Sequence, residues 1–321
     1  MYTLLYKTTL LVSALVLTLC ILYQYVNQHQ EANYFSSIVD KQNRAESLKD
    51  RHRLLLVGGS GTAFGIDSEL LEDSLRIPVV NLAMHVGLGL PFMLKQVQSI
   101  AHSGDIVLLT PEYFLSDGDE YMQFYTGVCY SPALNYITFD HPLSFAIRRV
   151  NYWIRRIQSS FLLVIEDESS ARISDTTSVY FRAGFSPRGD LISPLNNRAP
   201  DKIAQLEIKP LDYKKEIALI NALAKEFRHR NVSLLLTYPA LSASTFMANQ
   251  PAIETYTNLM KKLELVNVLS HPTKNMYPDS CFFDSAYHLN SAGRHNRSLQ
   301  LSSLLKPLMH HVNKPTLLSS N

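Results

Sequence analysis

The chain has 321 residues, 46% of them hydrophobic, which is enough for one substantial core and favours a single large domain over two small ones. Thirty Lys+Arg against 28 Asp+Glu leave a formal net charge of +2 with the signs interspersed, so no basic run points to a nucleic-acid partner. Three cysteines and no Cys-x-x-Cys argue against a structural zinc site or a thioredoxin-type redox motif, and only Cys129 and Cys281 lie outside the apolar N-terminus, where they could pair.

Residues 8–26 carry no charge and follow Lys7. About 20 apolar residues suffice for one helix to cross a bilayer. A cleaved signal peptide would have a shorter apolar core and a small-x-small site. Here Tyr23, Gln24 and Tyr25 follow instead, residues suited to the membrane interface, and the bulky Leu19 before Cys20 disfavours a lipoprotein cleavage site. The expectation is an uncleaved single-pass anchor over residues 1–30 and a polar, helical stalk over 31–52. Lys and Arg on the two flanks do not fix the orientation.

The globular part is expected to span residues 53–312. Short continuous apolar runs at 53–57, 78–82, 105–110 and 232–237, with a weaker one at 266–269, read as buried parallel strands. Between and after them, helices are predicted over 66–75, 92–102, 212–228, 253–263 and 291–309. Strands alternating with helices mean an α/β fold with helices on both faces of a parallel sheet. The alternation lapses over about 113–210, which reads as a long insertion. Within it, residues 143–165 read as amphipathic helix carrying Arg148, Arg149, Arg155 and Arg156, either a basic face for anionic lipid or a cover for the sheet. Residues 182–200, rich in Pro, Gly, Asn and Arg, read as a long loop. Residues 313–321 form a tail, and His310-His311 read as part of its solvated end. No His/Asp/Glu cluster has metal-ligand spacing, so no metal is expected.

Two blocks carry chemistry. The first is Gly58-Gly59-Ser60-Gly61, directly after the first strand. A serine there sits at the carboxyl edge of a parallel sheet, where open α/β folds bind ligands. Glycines let the chain turn and leave the hydroxyl exposed, and the following helix directs its first N–H groups to where an oxyanion would form. The second block is Asp284-Ser-Ala-Tyr-His288-Leu-Asn290, just before the last helix. A serine hydroxyl is a weak nucleophile until a base takes its proton. His288 can do that, and Asp284 can hold the imidazole tautomer. The two are four residues apart, the separation at which side chains share the face of a helical turn.

A serine in a Gly-Gly-Ser block after the first strand, with an Asp…His-Leu-Asn…Gly block before the last helix, resembles the SGNH/GDSL hydrolase superfamily. The N-terminal anchor and the Pro111-Glu112-Tyr113 segment bring the chain nearer to membrane-tethered proteins similar to those of teichoic-acid D-alanylation and alginate acetylation. The resemblance covers about 53–110 and 232–309. It implies a three-layer, flavodoxin-like SGNH fold and an acyl esterase or O-acyltransferase with Ser60, His288 and Asp284 as its triad, needing no cofactor. It further implies an extracytoplasmic domain on the inner or plasma membrane, acting on an acylated glycan or envelope polymer beside a multispanning membrane acyltransferase. Gly59, Gly87 and Gly89 are the implied backbone candidates for the oxyanion hole. Glu112 and Tyr113 are candidates for substrate binding, and Glu112 has Arg182 as an alternative partner. Two features depart from the superfamily: its carboxylate and histidine are usually three residues apart, and its Gly-x-Asn-Asp block reads Thr110-Pro-Glu-Tyr113 here, without the Asn that completes the oxyanion hole.

Other readings stay open. Residues 58–61 could be a plain tight turn, or a dinucleotide loop, although Asn81 stands where an acidic residue would bind ribose. His288 could be structural, with Asn290 capping the last helix. The protein could also be an inactive scaffold that retains the fold.

Overall fold

The computed structural model describes residues 2–28, 33–113, 116–138, 146–148, 150, 151, 154, 179–197, 203 and 205–312. It opens with helix α1 (Tyr2–Gln28). Within it, Tyr2–Leu22 is long and apolar enough to cross a membrane, and none of that stretch is buried against the rest of the protein. The helix starts before the uncharged run and includes Lys7, whose stem can lie along apolar surface while its ammonium reaches water.

The expected stalk is corrected from Asn33 onward. A 3-10 turn (Tyr34–Ser36) leads into α2 (Ser37–Ser47). Tyr34, Ile38 and Ala45 belong to the main hydrophobic core, with Lys41 and Gln42 buried on the same face. Composition concealed this face because two of its members are polar. The Lys41 ammonium donates to the Asn81 and Gly189 carbonyls at 2.9 and 2.5 Å, and burial pushes its pKa down to about 7. Fully buried Arg53 pairs with Asp105 and donates to the Ala45 carbonyl at 2.5 Å. The segment is thus fastened to the carboxyl end of β2 and to the amino ends of β1 and β3.

The body then runs β1 (Leu54–Gly58), α3 (Ser60–Gly65), α4 (Ser68–Leu75), β2 (Val79–Asn81), α5 (Leu90–Ile100) and β3 (Ile106–Thr110). After α6 (Glu120–Cys129) come α7 (Lys214–His229), β4 (Ser233–Leu236), β5 (Leu241–Ser242), α8 (Ala243–Ala248) and α9 (Gln250–Met260). The chain closes with β6 (Asn267–Val268), β7 (Met276–Tyr277) and α10 (Ser291–Val312). The main sheet is parallel throughout, in the order β2-β1-β3-β4-β6, and β5 and β7 form a separate parallel pair.

Successive strand residues point to opposite faces. Leu55, Val57, Val107 and Leu109 join a core with Ile38, Phe92, Ile220 and Tyr256 from α2, α5, α7 and α9. Leu54, Leu56, Ile106 and Leu108 join the second, with Leu71 from α4 and Leu301 and Leu305 from α10. Burial on both faces explains why these strands read as unbroken apolar runs. The result is a mixed α/β architecture of three layers.

The predicted helix over 143–165 lies almost wholly outside the described residues; of its four arginines only Arg148 is described, and it pairs with Glu120. Residues 182–197 form a loop with a 3-10 turn (Arg182–Gly184) and a Phe185–Leu191 bridge. This loop is tied to the sheet edge. Asp190 accepts from the Ser68 N–H and hydroxyl, the Asn81 amide and Arg294, and the Leu191 N–H donates to the Ala63 carbonyl. α10 runs through residues 310 and 311, which therefore lie in the helix rather than in a tail, and 313–321 lie outside the described residues. Cys129 and Cys281 form no disulfide.

Candidate active site

β1 lies inside the sheet, with β2 on one side and β3 on the other, so the strand order reverses there and leaves a crevice at the carboxyl ends. β1 runs into that crevice and α3 begins at Ser60. Gly59 leaves room for Glu112: a Cβ there would lie 2.3 Å from Glu112 Oε1, just past the end of the neighbouring β3.

The second block forms a closed loop. Phe282 bridges Leu289, the Phe283 N–H donates to the His288 carbonyl at 2.7 Å, and the Asn290 side chain caps α10 by accepting from the Gly293 N–H at 3.1 Å. The four-residue spacing is accommodated by this hairpin-like return, not by the helical turn expected from sequence.

The two loops meet across the crevice. His288 Nε2 lies 2.9 Å from Ser60 Oγ, and His288 Nδ1 lies 2.6 Å from Asp284 Oδ1. Burial alone would raise the Asp284 pKa, but hydrogen bonds from His288 and Tyr180 outweigh it and hold the carboxyl below its ordinary value. An ionised Asp284 accepts a hydrogen bond from the Nδ1–H of His288, which leaves the Nε2 lone pair facing the Ser60 hydroxyl. The Phe64 ring stacks on the imidazole, with centroids 4.0 Å apart and planes 6° from parallel. Such a row can move the serine proton onto the imidazole while the carboxylate balances the charge.

Sequence reasoning missed one of the residues that frame this row. Tyr180, from the insertion, donates to Asp284 Oδ2 at 3.1 Å, and its ring packs near Phe64 and Tyr34 at 5.9 and 5.6 Å. It lies in a stretch with no motif, so nothing local could have marked it. His85, on the loop after β2, accepts the Gly87 N–H at Nδ1 at 2.9 Å. Its pKa is lowered by burial first and by the nearby His288 next. The neutral ring therefore carries its proton on Nε2.

The remaining expected site residues are placed differently. Gly87 spends its N–H on His85, and Gly89 donates to the Val86 carbonyl at 2.9 Å, so neither offers a spare donor in this conformation. Gly89 adopts φ +76 with the Asp117 backbone against it, a conformation that favours glycine. Tyr113 is fully buried, its N–H donating to the Tyr287 hydroxyl and its carbonyl accepting from Tyr213, so it supports the core rather than a substrate. Arg182 pairs with Asp40 at 2.6 Å, not with Glu112.

Glu112 is buried under the Ser60 turn. Its Oε1 makes no hydrogen bond of good geometry among the described residues, although the Gly59 and Gly61 N–H groups lie near enough to favour the carboxylate. Burial dominates and raises its pKa from 4.5 to about 7. Between those values the folded state holds a proton that the unfolded state has lost, so stability falls as pH rises through that window and levels off above it. Glu112→Gln should remove a loss of up to about 3 kcal/mol across this range. Denaturant unfolding in detergent at pH 5 and 7.5 measures it, and equal slopes in both proteins would exclude Glu112 as the source.

Asn81 is buried, its side chain bonded to Asp190 and the Ala83 N–H, so the end of β2 is committed to a structural network rather than to a ribose. Among the described residues no group of three or more His, Cys, Asp or Glu is arranged to hold a metal. A scan against protein-family models gave no match, and a search of well-characterised proteins gave no relative.

Proposed function

We propose that this chain is a membrane-anchored serine esterase or O-acyltransferase of the SGNH type. The observation that supports it is the row from Ser60 through His288 to Asp284, at 2.9 and 2.6 Å, in the crevice where the sheet order reverses. The sheet order and the two sequence blocks are consistent with a flavodoxin-like SGNH domain. In the reaction, the Ser60 hydroxyl passes its proton to His288 and attacks an ester carbonyl. The ester C–O bond breaks, the alcohol leaves with the proton from His288, and the acyl group stays on Ser60. Water then releases it as an acid, or a sugar hydroxyl accepts it as a new ester. The developing oxyanion needs donors, and with the Gly87 and Gly89 N–H groups engaged, we assign that part to the Ser60 N–H and the Nε2–H of His85. We further propose that α1 spans the inner or plasma membrane, with the domain extracytoplasmic and an acylated envelope glycan as substrate; orientation and glycan rest on the resemblance.

The second reading, an inactive scaffold of a polysaccharide-modification system, is favoured by the engagement of those same two glycine N–H groups. One experiment separates the two. A membrane-impermeant fluorophosphonate applied to intact cells should label Ser60, read by peptide mass spectrometry. Labelling only after lysis would reverse the orientation, and labelling in neither state would favour the scaffold.

A further inference from the structure

The residues that follow the anchoring helix are part of the site. Helix α1 ends at Gln28, and Asn33 accepts the Phe35 N–H on its side chain at 3.0 Å. Tyr34 is buried, its hydroxyl donating to the Met84 carbonyl at 2.6 Å. Its ring lies 5.6 Å from that of Tyr180, the residue that bonds Asp284. Tyr180 in turn packs at 5.9 Å on Phe64, one turn along α3 from Ser60. Two ring contacts and one helical turn therefore connect the first residues beyond the anchor to the nucleophile.

The covalent geometry bounds how far this site can stand from the lipid. Five Cα–Cα steps join Gln28 to Asn33 and span at most about 18 Å when fully extended. The apolar stretch ends at Leu22, and the six helical residues beyond it rise about 9 Å. Tyr34 therefore lies within roughly 30 Å of the lipid boundary. An enzyme serving a polymer far from the membrane needs a long tether, and this chain has none between α1 and the body: the residues that composition assigned to a stalk are packed in the core.

We infer that the ester attacked by Ser60 belongs to a molecule anchored in the same membrane, a lipid-linked acyl ester presented at the bilayer surface. This rests on the reading of Ser60 as nucleophile and of α1 as anchor. The chemistry is the acyl transfer above: the ester C–O bond breaks at the surface, the lipid-linked alcohol leaves with the proton from His288, and the acyl group passes to Ser60.

The test reconstitutes the full-length protein in phosphatidylcholine vesicles with two probes of the same acetyl ester. One is soluble 4-methylumbelliferyl acetate; the other is an acetylated umbelliferone coupled to the headgroup of phosphatidylethanolamine. A flexible spacer of about 40 Gly/Ser residues is inserted between Gln28 and Asn33. Longer flexible linkers dilute the local concentration of the tethered partner, so the spacer should lower turnover of the vesicle-held ester by roughly tenfold or more while leaving the soluble ester unchanged. Equal turnover of the vesicle-held ester with and without the spacer would overturn the inference. So would a wild-type protein that hydrolyses the soluble ester and ignores the vesicle-held one. Soluble-ester hydrolysis that survives Ser60→Ala would instead refute the nucleophile assignment, a distinct failure.

Discussion

Ser60→Ala and His288→Ala are each expected to lower kcat on a p-nitrophenyl acetate-type ester by on the order of 10⁴-fold or more. In the proposed reaction the serine oxygen forms the acyl bond, and the imidazole 2.9 Å away takes its proton. Neither can act without the other, so the double variant should be little worse than either single one. Ser60→Ala removes a single oxygen and no apolar packing, so the unfolding transition of that variant should move by less than about 1 kcal/mol. Full activity in Ser60→Ala would end the acyl-enzyme reading. Additive losses in the double variant would show that the two residues act independently.

Asp284→Asn is expected to cost a comparable factor, on the order of 10⁴ in kcat, although the side chain keeps its shape. The carboxylate accepts from Nδ1 at 2.6 Å. An amide in its place can present its NH₂ to Nδ1, which moves the imidazole proton to Nε2, where it faces the serine as a donor instead of an acceptor. Tyr180→Phe makes the contrast. It removes only the 3.1 Å hydrogen bond to the other carboxylate oxygen, while the ring that packs near Phe64 and Tyr34 remains. A single hydrogen bond to a charged group at a partly exposed site is worth roughly tenfold in rate, with little change in KM. Steady-state kinetics on both variants measures the ordering. An Asp284→Asn protein that retains more activity than Tyr180→Phe would remove Asp284 from its assigned role.

The layered α/β body was legible because its strands are buried on both faces, and such strands read as unbroken apolar runs. The residues at 54–58 and 106–110 lie one place from where those runs suggested, and the helices between them shift by a few residues at their ends, where capping rather than periodicity decides. The transverse length and apolarity of α1 were equally open to reading, since both are properties of composition alone. The helical character of α2 was legible too, but its burial was not. α2 buries a lysine, and a charged residue can be buried only where tertiary partners satisfy it, here carbonyls from β2 and the insertion. Local sequence holds no record of those partners.

By itself, the sequence singled out a serine, a histidine and a carboxylate as candidates for nucleophile, base and its partner, two of them in one short loop before the last helix. It also determined that a parallel sheet would carry the serine to its carboxyl edge. Only the tertiary structure decided that His288 reaches Ser60, because their meeting depends on a strand order that no stretch of chain encodes locally. It also decided that Tyr180 steadies Asp284, that Glu112 lies beneath the serine turn rather than facing solvent, and that the Gly87 and Gly89 N–H groups are already bonded. Each of these is a contact between distant segments. Its geometry is set by how the layers pack, so the residue types permit it without specifying it.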